Sequence, residues 1–109
     1  MSLDITIKQI HTVRCPHCGE DVKEEVVECV HGGGRDWYAL LEFIGYYVPY
    51  DKRTEENDWY AKDMTLTNEQ ALCLVCYIKR HPDLYGAEAK NLVAMALLEG
   101  DAVVINADW

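Results

Sequence analysis

No stretch of this sequence strings together the roughly 18 apolar residues that a membrane span requires, and its N-terminus does not set a basic start against an apolar run as a secretory signal does. The expectation is a soluble protein of the cytoplasm with no membrane partner. Basic residues are scarce: 10 Lys and Arg stand against 19 Asp and Glu, a formal net charge of −9. Phosphate contacts need the opposite balance, so generic nucleic-acid binding is not expected. A phosphate loop and a Gly-x-Ser-x-Gly elbow are both lacking, which removes two common routes to catalysis. Cysteine is present in an odd number, five. Without a secretory signal these cysteines read as reduced thiols or metal ligands rather than a disulfide framework.

Half of the 109 residues are hydrophobic, enough for one domain, 1–109, with a sizeable core. Ile5 and Ile7 alternate with Thr6 and Lys8, and with Thr12 and Val13 they predict a strand over about 4–14. Residues 22–31 are read as a second strand from their valines, although Asp21 and Glu24 could form a capping box and Val22, Val26, Cys29 and Val30 fall on one helical face. Asp36 and Gly45 bracket a short helix carrying Leu40, Leu41, Phe43 and Ile44. Residues 46–64 read as a long structured loop with at most a turn or two of helix. Thr67 and Gln70 then open a helix that Pro82 stops, a further helix is expected over about 86–99, and AVVIN reads as a short buried strand. The pattern predicts an α+β fold: a small antiparallel sheet, made from an N-terminal hairpin and a C-terminal strand, packed with about three helices.

The chemically specific stretch is RCPHCGE, residues 14–20. Cys-Pro-His-Cys resembles the active-site tetrapeptide of bacterial thiol oxidases of the thioredoxin fold, which implies Cys15 as nucleophile and Cys18 as resolving thiol. Such chemistry needs the first cysteine at the start of a helix, where the dipole lowers its pKa. Gly19, Glu20 and Asp21 do not start that helix well, and no parallel βαβ pattern follows. Redox catalysis is therefore kept as the alternative. CPHCG also resembles the knuckle of zinc-ribbon and treble-clef fingers, with Pro16 fixing one turn angle and Gly19 permitting a positive one. The resemblance implies that Cys15 and Cys18 are ligands in a zinc-knuckle turn of the hairpin.

Zinc needs two further ligands, and either Cys29 with His31 or Cys73 with Cys76 could supply them. Seven extended residues, at roughly 3.3 Å each, carry the chain about 23 Å from the knuckle before Cys29. Cys73 and Cys76 lie three apart on a predicted helix, hence on one face, which packing could bring to the knuckle. The expected set is Cys15, Cys18, Cys73 and Cys76 around one structural zinc. A closed sphere leaves no water to activate, so the metal would stabilise the fold and catalyse nothing. The competing expectation for Cys73 and Cys76 is that they are small buried hydrophobes.

The acidity serves solubility or attracts a basic partner, and mimicry of DNA is one form of the latter. Within the polar loop YDKRTEENDWYAKDM, Trp59 and Tyr60 are candidate anchors and Glu55, Glu56 and Asp58 candidate steering charges for a protein partner. The same aromatics could instead fold back over the helices. Trp37 is read as a core anchor. Together these features predict a small zinc-stabilised accessory protein that binds a protein partner without catalysis, with a thiol redox protein or an acidic DNA-mimic inhibitor as alternatives.

Overall fold

The alternation that begins at Ile5 is realised as β1 (Asp4–Arg14), paired antiparallel with β2 (Asp21–Gly33). The computed structural model describes residues 3–14, 17 and 21–109. The chain continues through α1 (Trp37–Phe43), a 3-10 turn (Tyr50–Lys52), β3 (Met64–Thr65), α2 (Asn68–Arg80), α3 (Ala87–Glu99) and β4 (Ala102–Asp108). The four strands form one antiparallel sheet in the order β2-β1-β4-β3. This is the expected α+β fold. The segment 22–31 is strand, and the last strand extends beyond AVVIN to Asp108.

Period-two alternation puts Ile5 and Ile7 of β1, with Leu3 just before it, and Val103, Ile105 and Ala107 of β4 on one buried face. The three helices cover that face with Leu40 and Leu41 from α1, Leu74 and Ile78 from α2, and Ala89, Leu92, Val93 and Ala96 from α3. At Gly32 a Cβ would lie 2.7 Å from the Trp37 ring. Its absence lets the indole rest directly on β2. Thr67 and Gln70 complete the capping box of α2, and Gly100, at φ 72°, ends α3 in the left-handed conformation that glycine adopts without strain. Asp36 stands before α1, but its side chain makes no capping bond. Among the described residues no helix is long and apolar enough to cross a membrane.

The two sheet edges are treated differently. Along β4, Met64 and Thr65 pair with Ile105 and Val104, while Ala61 N–H donates to the Ala107 carbonyl and Leu66 N–H to the Val103 carbonyl, each at 2.8 Å. The buried Tyr46 hydroxyl completes this edge by accepting from Ala107 N–H at 2.9 Å and donating to the Lys62 carbonyl at 2.6 Å. The outer side of β2 has no partner strand among the described residues. One device modifies that open edge: Gln9 faces Glu28 and Ile10 faces Val26, so Val27 is the extra residue of a bulge.

Candidate functional site

The open edge of β2 runs beside α3, and a groove of about 530 Å³ separates them. It exists because α3 is apolar on more than the face it buries: Leu92 is packed down, while Met95, three residues on, remains 46% exposed. Opposite it stand Val27, placed by the bulge, and Val30, partly packed on the core. The polar part of the lining is acidic, with Glu28 from β2, Glu88 from the first turn of α3 and Glu99 from its last. Among the described residues no Lys or Arg lines the groove. The arrangement suits an apolar side chain flanked by cations, because exposed carboxylates of Glu28, Glu88 and Glu99 border the apolar lining.

A polar network closes the end of the groove at Gln9. In the series Leu3, Ile5, Ile7, the next core position is this glutamine, only 3% exposed. Its Nε2 donates to Glu99 Oε2 at 3.0 Å and to Asp101 Oδ2 at 2.7 Å, using both amide protons. The other oxygen of Asp101 accepts from His11 Nδ1 at 2.7 Å; the Asp101 side chain is 3% exposed and that of His11 50%. The hydrogen bond to Asp101 and the attraction of its charge raise the His11 pKa above its usual 6.5, with Glu25 and Glu99 adding to the pull. The bonds from His11 and then Gln9 hold the Asp101 carboxyl below its usual value. Asp101 fixes the imidazole tautomer and orientation, and the network stiffens the junction of β1, α3 and β4.

The residues singled out by sequence are not gathered at this groove. Cys15 and Cys18 lie outside the described residues. Cys73 and Cys76 are exposed on α2, and α2 packs on α3, the helix laid against β1 and β2. The resemblance to a zinc knuckle is corrected on two findings. Among the described residues no group of three or more His, Cys, Asp or Glu side chains could hold a metal ion, and no family model of such a module matches. The physical reason is that a five-residue turn signature constrains only its own backbone. The second ligand pair depended on packing that brings α2 to the knuckle, whose cysteines lie outside the described residues; α2 itself packs on α3. Cys29 and His31 share the uncovered sheet face, with Sγ 3.7 Å from Nε2 and His31 Nδ1 3.3 Å from Thr6 Oγ1.

In the 46–64 loop, Trp59 is half-buried with its ring 6.4 Å from that of Tyr46. Tyr60 is 45% exposed and edge-on to Trp109 at 4.9 Å. Trp109 also meets Tyr47 at 5.2 Å, and the Arg53 guanidinium lies over both rings. Asp58 accepts from Tyr60 N–H at 3.1 Å, which shapes the turn, and Glu55 and Glu56 are exposed. Trp37 is a core residue, edge-on to Tyr85 at 5.0 Å.

Sequence reading missed the groove and its network. The one available signal was Gln9 in a core register, since a polar residue at a buried strand position requires partners elsewhere in the chain. A scan against protein-family models matches no family, and searches of curated proteins and of solved structures find no match.

Proposed function

We propose that this protein is a binding module, without catalysis of its own, that receives a basic segment of a partner protein in the groove between β2 and α3. The observation that carries the reading is the groove itself: Leu92, Met95 and Val27 line it together with three glutamates, and among the described residues no Lys or Arg does. A protein of net charge −9 attracts cationic segments over distances comparable to the screening length of the salt, so approach is steered before contact. Apolar contact with Met95 and Leu92 then holds what the charge delivers, and an unbranched Met side chain adapts to varied occupants.

The test uses a blocked, fluorescently labelled peptide of sequence Thr-Lys-Thr-Leu-Thr-Lys-Thr, read by fluorescence polarisation. Binding is expected to weaken as salt rises, to vanish when both lysines of the peptide become glutamates, and to weaken in Met95→Glu. Equal polarisation with the acidic peptide, or indifference to Met95→Glu, contradicts the reading. Met95 is half exposed, so that variant keeps its fold.

A further inference from the structure

We infer that the partner segment binds extended and joins the sheet as a fifth strand on the outer edge of β2; the inference rests on the groove reading above and specifies the geometry of its occupant. The hydrogen-bonding parity of the sheet follows from bonds at its far edge. Val103 and Ala107 direct backbone groups away from β1, to Leu66, Ala61 and the Tyr46 hydroxyl. Their partners on β1, Gln9 and Ile5, must then direct theirs to β2, as the bond from Gly34 N–H to the Leu3 carbonyl shows for the same odd-numbered set. Glu28, Val30 and Gly32, facing Gln9, Ile7 and Ile5, are therefore the β2 residues bonded inward. Cys29 and His31, between them, turn their N–H and C=O groups outward, where no described strand meets them.

A strand added there would lie about 4.8 Å outside β2, beneath the flank of α3 that carries Glu88, Asn91 and Met95. Side chains on its helix-facing side would continue the row of Glu28 and Val30, which asks for a cation beside an apolar residue two positions away. Charge decides between occupants. A second copy paired edge to edge would set Glu24, Glu25 and Glu28 against the same acidic strand, and like charges opposite one another destabilise a ladder. A segment alternating Lys or Arg with an apolar residue on one face has the complementary charge. Strand addition also explains why the sheet leaves this edge open while the β4 edge is closed by three elements.

The experiment places single backbone N-methyl groups along the same labelled Thr-Lys-Thr-Leu-Thr-Lys-Thr peptide. Expected is an alternating pattern: methylation of one set of amides weakens binding by tenfold or more, while methylation of the intervening set is tolerated. A matching change on the protein is Cys29→Pro, which deletes an outward N–H but no bond to β1, and should weaken binding similarly with the thermal transition preserved. Glu88→Lys, at an exposed position, should weaken it about fivefold. If the peptide still responds to Glu88→Lys but tolerates methylation equally at every amide, the groove reading stands and strand addition is overturned. If neither Glu88→Lys nor any methylation alters binding, both fall. The methylated peptides and their unmethylated parent are compared on the unaltered protein, so the test survives should Cys29→Pro fail to fold.

Discussion

Replacing Gln9 by leucine reverses the sign that a pattern argument would give. Position 9 continues the buried series Leu3, Ile5, Ile7 and is 3% exposed, so on hydrophobicity alone a leucine there should stabilise by roughly 1.5–3 kcal/mol. The structure makes the opposite prediction. Gln9 Nε2 supplies a donor to Asp101 Oδ2 at 2.7 Å and to Glu99 Oε2 at 3.0 Å. Glu99 is exposed and can exchange its lost donor for water, but the Asp101 side chain is 3% exposed. Leaving a charged, enclosed acceptor one donor short costs about 1–3 kcal/mol or more, and leucine also fits a glutamine-shaped site imperfectly, at up to about 1.5 kcal/mol. Because the acceptor is charged, its cost is taken at the upper end of that range, about 3 kcal/mol; with about 0.5 kcal/mol for misfit against about 2.5 kcal/mol for burial, a net loss of about 1 kcal/mol remains. For a chain of this size that lowers the melting temperature by about 4 °C. Thermal unfolding followed by circular dichroism at pH 7 measures it, with Gln9→Glu as a second variant that adds a carboxylate beside two others and should fall further. A melting temperature for Gln9→Leu equal to or above that of the parent refutes the network as a structural element.

Stability should decline from neutral to alkaline pH, because the His11 pKa is raised in the fold: its contribution is complete below the unfolded value of about 6.5 and is lost as pH climbs through the folded one. The Asp101 contribution has the opposite sense, present above its ordinary value and lost as pH falls through its lowered one. Melting temperatures between pH 5 and 9 should show the alkaline fall flattened in His11→Gln; an unchanged slope in that variant removes the pair from the account. Tyr46→Phe should destabilise by about 1–3 kcal/mol, since Ala107 N–H and the Lys62 carbonyl each lose a partner at a buried site. Urea unfolding checks this, and a change below about 0.5 kcal/mol would mean that water replaces the hydroxyl.

The fold was largely legible because its signals are local. Alternation in Ile5 and Ile7, the Thr67 and Gln70 capping box and the glycine at the end of α3 each act within a few residues, and each is realised. The site was less legible because it is assembled from distant parts. Gln9 and Asp101 lie 92 residues apart in sequence, and β2 becomes an edge only through the strand order, which places β4 on the other side of β1. The zinc knuckle shows the converse. A strong local motif at Cys15 and Cys18 was completed with Cys73 and Cys76 on an assumption about helix packing; those two cysteines are exposed on α2, which packs on α3. The loop aromatics illustrate a third case, in which the deciding contact came from Trp109 at the end of the chain.

The central claim, that the acidic groove between β2 and α3 is where this protein meets a partner, is tested most directly by mapping amide resonances in a two-dimensional ¹H–¹⁵N titration with the unlabelled Thr-Lys-Thr-Leu-Thr-Lys-Thr peptide. The account predicts shifts concentrated at residues 27–31 and 88–99, reduced by added salt and abolished when the lysines of the peptide are replaced by glutamates. Shifts confined to residues 50–64, or none at the β2 edge at a peptide concentration that saturates binding, would contradict it.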